Sequence, residues 1–175
     1  MHHRTLILGL GNDILTDDAV GLVAARQLAV RFAEDPFVHV RETMEMGLAL
    51  LDYIVGYDRV ILLDAIRTGR AVPGSIHKLD DEELQSIQGP TPHFLGVGET
   101  LALGRQLGLA MPERVTILAV EIEDPFTLGT EMTSAVREAV PELVRCAAAM
   151  AVRMAMAWEE PHGSPLVVER PAWEV

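Results

Sequence analysis

Leu6-Ile-Leu-Gly-Leu-Gly-Asn-Asp-Ile-Leu-Thr-Asp-Asp18 runs from an apolar stretch through two glycines into two adjacent carboxylates. Thr5 to Leu8 reads as a buried strand, and Gly9 and Gly11 let the backbone turn where side chains would obstruct it. Beyond Asp18 the period changes, because Val20, Val23, Ala24 and Leu28 share one face of a helix. The acidic pair therefore falls at a strand-to-helix junction, beside the partial positive charge of a helix N-terminus that favours an ionised carboxylate. In open α/β sheets, ligands bind at the carboxyl ends of strands. Two readings of the pair are open. Thr16 or Asp17 caps the helix and Asp18 is a favourable first-turn charge, or Asp18 is a ligand. Asp17 is expected to cap, and the case for Asp18 depends on what else converges there. A dinucleotide fingerprint fails, since its third glycine would fall at Ile14. A pyrophosphate would also meet two carboxylates where it needs bare N–H groups. No nucleotide is expected.

Outward from this junction the chain alternates. Strands are predicted near Thr5–Leu10, Val38–Thr43, Arg59–Leu63, Gly74–Leu79 and Arg114–Glu121, and helices near Asp18–Ala33, Gly47–Val55, His93–Leu107 and Met132–Glu159. Pro141 is expected to kink or restart the last helix. Asp80–Gln88 is acidic and polar and reads as a helical turn, stopped by the loop Gly89-Pro-Thr-Pro92. This order predicts a single-domain α/β three-layer sandwich, with a mostly parallel sheet of about five strands and helices on both faces. The domain is expected over residues 1–160, with 161–175 as a C-terminal tail that is docked or disordered.

Composition narrows the function. The chain has 175 residues, 49% hydrophobic and 23% charged, which suits one soluble globular domain. A net charge of −12 argues against nucleic acid and suits a basic peptide or a metal cation. The single cysteine, Cys146, excludes an internal disulfide and multi-cysteine metal sites and reads as packing volume in a helix. No signal peptide or membrane span is expected: Leu6–Leu10 is short, and the apolar run Cys146–Trp158 holds Arg153.

Two further groups belong with Asp18. Arg59-Val-Ile-Leu-Leu-Asp64 is a continuous apolar run of the kind buried on both faces of a parallel sheet. Its terminal carboxylate reaches the edge that carries Asp18 if the two strands are parallel. Unpaired burial would cost several kcal/mol, so Asp64 needs a cation, a donor or water. The other reading is a turn aspartate. His93 follows Pro92 and opens a helix whose apolar face includes Leu95, Leu101 and Leu107. Two carboxylates and an imidazole suit a borderline metal with open coordination positions. Spacing alone does not bring them together.

The three motifs together resemble the nickel-iron hydrogenase maturation endopeptidases. The resemblance rests on Gly9-Leu-Gly-Asn12 followed by Asp17-Asp18, on Ile61-Leu-Leu-Asp64-Ala65, and on Pro92-His93-Phe94-Leu95-Gly96, and it spans about Arg4 to Met150. It implies a layered α/β fold and cytoplasmic action without ATP. The activity implied is removal of a short C-terminal extension from the hydrogenase large-subunit precursor after nickel insertion. It further implies Asp18, Asp64 and His93 as metal ligands that engage nickel supplied by the precursor. Two departures stand out. Where the family carries Asp-Gly-Gly-Thr-x-Gly, this chain reads Glu42-Thr-Met-Glu-Met-Gly47, and the glycine after the acidic pair is Ala19. Glu42, Glu45 and Gly47 are candidates for contacting substrate, and solvated surface glutamates are the other reading.

Metal-assisted or aspartyl-type hydrolysis is the expected chemistry, with no legible nucleophile or base. Cys146 lies in a core-like helix, and Ser75, Ser86 and Ser134 have no associated motif. Such a protein is expected to work as a monomer, with no nucleic-acid partner and no membrane insertion. Two alternatives remain at this point: a non-catalytic escort of the precursor, and a magnesium-dependent receiver-like module. The second lacks its lysine at the end of the last strand, since the chain's one lysine is Lys78.

Overall fold

The computed structural model describes residues 2–80 and 97–156. Its elements are β1 (Thr5–Leu10), α1 (Val20–Arg31), β2 (Val38–Thr43), a 3-10 turn (Gly47–Leu50) leading into α2 (Leu51–Ile54), β3 (Arg59–Ile66), β4 (Ile76–Asp80), α3 (Val97–Gln106), β5 (Arg114–Glu121) and α4 (Ser134–Ala155). The strands form one sheet in the order β2-β1-β3-β5-β4. Strands β2, β1, β3 and β5 are parallel, and β4 is antiparallel to β5 at the edge.

The central strands carry apolar residues on both faces because both faces are covered. On one side Ile7, Ile61, Leu63, Leu118 and Val120 pack against α1 and α4 through Leu28, Val140, Leu143, Ala147 and Ala151. On the other, Leu6, Leu8, Val60, Leu62 and Ile117 meet Leu50, Ile54, Val97 and Leu101. The expected three-layer α/β sandwich is the fold observed.

Several boundaries differ from the predicted ones. Strand β3 continues to Ile66, so Asp64 lies inside the strand rather than at its end. Strand β4 starts at Ile76, because Gly74 takes a positive φ of 91° in the preceding turn. Helix α4 passes through Pro141 without a break; Val140 and Leu143 on either side are buried and hold both halves against the sheet. Leu107 is exposed, because α3 ends at Gln106 and Gly108, at φ 69°, turns the chain away. The turn expected to begin at Asp80 does not begin there, because Asp80 closes β4 opposite Thr116. Residues 81–88, the loop at 89–92, Leu95, His93 with the start of its helix, and the tail 161–175 lie outside the described residues.

Candidate metal-engaging site at the switch point

From β1 the chain moves outward to β2 and then returns to β3 on the other side of β1. This leaves a crevice between the carboxyl ends of β1 and β3, the position where doubly wound sheets bind ligands. Glycines bring the first helix into that crevice. A Cβ on Gly21 would stand 2.2 Å from the Leu10 carbonyl oxygen and 2.3 Å from that of Leu63, so α1 begins directly over the ends of both strands. A Cβ on Gly11, at φ 144°, would lie 2.0 Å from the carbonyl oxygen of Asp18. These two glycines draw the Asp18 backbone down onto the sheet.

The parallel register of β1 and β3 puts Asp64 at the same edge. Asp18 and Asp64 are both buried. Asp64 Oδ1 accepts a 2.7 Å hydrogen bond from the backbone N–H of Ala65, whereas Oδ2 has no hydrogen-bond partner among the described residues. Burial pushes the Asp64 carboxyl well above its ordinary range. The Ala65 N–H opposes that shift, and the negative charge of Asp18 adds to it. Asp18 and Asp64 are therefore close enough to interact electrostatically. A buried carboxylate oxygen without a donor, beside a second carboxylate, is stabilised by a cation.

Asp17 does not cap α1. The helix starts from Ala19 without a side-chain cap, and the Asp17 carboxylate accepts from Thr133 N–H at 2.8 Å and from Thr133 Oγ1 at 3.1 Å. Thr133 is the residue that leads into α4. Tertiary packing brings the unsatisfied donors of that helix start to Asp17, so the acid ties α4 to the first loop. The adjacent carboxylates thus divide their roles: Asp17 holds the start of α4, and Asp18 lies close enough to Asp64 for its charge to raise that carboxyl's proton affinity.

His93 lies outside the described residues, and among the described residues no group of three or more His, Cys, Asp or Glu is placed to hold a metal ion. Glu42 and Glu45 are exposed. Glu42 receives Arg26 through Nε at 2.8 Å and a second nitrogen at 3.0 Å, while Tyr53 donates to Glu45 at 3.2 Å. Gly47 sits at φ 61° with open space around its Cβ position, so it serves the turn's conformation and not a close contact. Cys146 is half-buried, and its Sγ donates to Glu142. Burial and Glu142 push the thiol up, away from nucleophilic thiolate chemistry.

Sequence reasoning passed over Glu121. It ends β5 as a nearly fully buried carboxylate, and its oxygens accept from Thr68 N–H (2.8 Å), Gly69 N–H (2.8 Å) and Thr68 Oγ1 (2.7 Å). His77 Nε2 lies 2.9 Å away. Glu121 pairs with Ile66, two residues past Asp64, and so fixes the loop that leaves β3 beside the site. Its signal was the one that exposed Asp64, a carboxylate near the end of an apolar strand.

The fold and site define a doubly wound α/β protein with a carboxylate pair at its switch point. The comparisons carry this to a family. A family profile described as HycI, hydrogenase maturation protease, matches residues 23–150. The hydrogenase 2 maturation protease of Escherichia coli K12 is 32% identical over 119 residues, covering 67% of this chain and 72% of that protein. The hydrogenase expression/formation protein HupD of Rhizobium leguminosarum is 28% identical over 158 residues, covering 89% and 75%. The solved hydrogenase maturating endopeptidase HybD of E. coli superposes with a TM-score of 0.74 at 27% identity, covering 86% of this chain and 93% of that one. The protein belongs to the hydrogenase maturation proteases and is a peptidase of that family. The receiver-like alternative falls away here: Lys78 lies on the antiparallel edge strand and pairs with Asp80 at 3.4 Å. Among the described residues no helix is long and apolar enough to cross a membrane.

Proposed function

We propose that this protein, acting as a cytoplasmic monomer, removes a short C-terminal extension from the large-subunit precursor of a nickel-iron hydrogenase after nickel has been inserted. The observation that carries this reading is Asp64. It is a buried carboxylate with an oxygen lacking a donor among the described residues, next to Asp18 at the switch point, in a chain of the maturation protease family. Nickel enters as part of the substrate, held in the precursor. Asp18, Asp64 and His93 are the groups proposed to engage it. The donor set fits a borderline divalent ion, with carboxylate oxygens and one imidazole and coordination positions left for the precursor's own ligands. Hydrolysis adds water across the scissile amide, giving a new carboxylate on the mature subunit and a free amine on the released peptide, and a nickel ion engaged by these groups would supply Lewis acidity for that step. The loop from Glu42 to Gly47 is proposed to contact the precursor.

The test incubates the protein with nickel-loaded and nickel-free large-subunit precursor and follows the precursor's C-terminus by mass spectrometry. Loss of a short peptide from the nickel-loaded form alone is the expected result. Cleavage of both forms would keep the protease and discard the nickel checkpoint. Binding without cleavage would leave an escort. His93→Ala is expected to abolish processing without unfolding the protein, and full activity of that variant would refute the metal role.

A further inference from the structure

Five large apolar side chains stand exposed on three loops at the carboxyl edge of the sheet. They are Ile14 after β1, Met44 and Leu48 after β2, and Phe126 and Leu128 after β5. Exposed apolar residues scattered singly need no explanation. These are fastened together. Leu15 and Leu128 form an antiparallel bridge, with Thr16 N–H donating to the Thr127 carbonyl at 3.1 Å and Gly129 N–H to that of Ile14 at 3.0 Å. The Asp124 carboxylate accepts from Phe126 N–H at 2.8 Å and from the Thr127 hydroxyl, which fixes the turn presenting Phe126. Arg26 reaches Asp13 of the first loop at 3.8 Å and Glu42 at 2.8 Å, near the end of β2 just before the segment that carries Met44 and Leu48. The result is an ordered apolar rim whose first loop runs directly into Asp17 and Asp18.

We propose that this rim is the docking surface for the folded body of the large-subunit precursor, through an apolar patch with a basic fringe on that partner. The proposal rests on the protease reading above. On that reading the nickel is carried by the precursor's body, so that body must descend onto the edge bearing Asp18 and Asp64, and the rim lies on that edge. The charges agree. Asp13 adjoins Ile14, Glu42 and Glu45 flank Met44, and Asp124 precedes Phe126. Arg26 pairs with Asp13 and Glu42, Arg67 acts on Asp124, and Arg41 stacks on the Tyr53 ring whose hydroxyl donates to Glu45. An apolar centre with a polar, here acidic, margin is the anatomy of a protein interface.

The experiment measures precursor binding by the wild-type chain, by Phe126→Asp/Leu128→Asp, and by Val30→Asp, a control that is 81% exposed near the far end of α1. Phe126 and Leu128 are each 73% exposed, so circular dichroism and the unfolding midpoint of the double variant should match wild type. The dissociation constant is expected to rise about tenfold or more in the double variant, equivalent to about 1.4 kcal/mol, and to stay unchanged in Val30→Asp. Unchanged binding by the double variant overturns the proposal, as does equal loss in the control or failure of the wild type to bind. A wild-type dimer in sedimentation that the double variant abolishes also overturns it, assigning the rim to a second copy. Rim-dependent binding without cleavage supports the rim and defeats the protease reading. Cleavage that ignores the rim does the reverse.

Discussion

Replacing Asp64 with Asn removes a carboxyl group that the fold buries while keeping its shape and the oxygen that accepts from Ala65. In the folded protein burial, with the charge of Asp18 added, holds the Asp64 proton well above the ordinary value of 3.8. Native Asp64 thus keeps its proton where the unfolded chain has already lost it. Its contribution to stability is fully present below about pH 3.8 and is lost as the pH rises through the raised native value. Within that window each pH unit erodes about 1.36 kcal/mol. For a chain of this size 1 kcal/mol moves the midpoint by about 2–4 °C, so the slope is roughly 3–5 °C per pH unit. The Asn variant does not titrate. Thermal unfolding of both proteins in chelator, from pH 4 to 8, should show nearly equal midpoints at the acid end. The gap should then widen in favour of Asp64→Asn until the native carboxyl has ionised. A gap that is constant with pH, or that narrows as pH rises, would refute the electrostatic account of this site. Processing of the precursor by the variant should be lost at every pH, so the more stable protein is the inactive one.

Gly21→Ala places a methyl where two carbonyl oxygens lie 2.2 and 2.3 Å away, so α1 must retreat from β1 and β3. Urea unfolding should show a loss of about 1–3 kcal/mol, together with slower processing; unchanged stability would mean that the helix sits loosely. Glu121→Gln removes the charge from the acceptor that holds Thr68 and Gly69. A loss of about 1–3 kcal/mol is expected, with faster hydrogen exchange at those two amides, and unchanged exchange would count against Glu121 as the anchor of the loop after β3. Asp17→Ala frees the Thr133 donors at the start of α4 and should cost about 1 kcal/mol. Heteronuclear spectra should show that loss at Thr133 rather than in the first turn of α1, whereas disturbance confined to Val20–Val23 would restore Asp17 as the cap of its own helix.

What the sequence determined by itself was periodic and local. Alternation of apolar runs with a 3.6-residue pattern specified the layered α/β sandwich, and β1, β2 and β5 begin and end where composition placed them. Asp64 was legible because a carboxylate in an unbroken apolar run demands compensation. Tertiary structure alone decided which acids meet. Asp17 and Asp18 are neighbours with the same chemistry, and only the arrival of Thr133, 116 residues away, assigns Asp17 to holding α4, while strand register brings Asp64 within electrostatic reach of Asp18. Glu121 carried the same signal as Asp64, but its role follows from the register that sets it opposite Ile66 and beneath Thr68 and Gly69. Sequence patterns record which side chains are buried. Strand order and helix docking decide which donors those side chains find there, because hydrogen bonds and charges act over a few ångströms between residues that the chain keeps far apart.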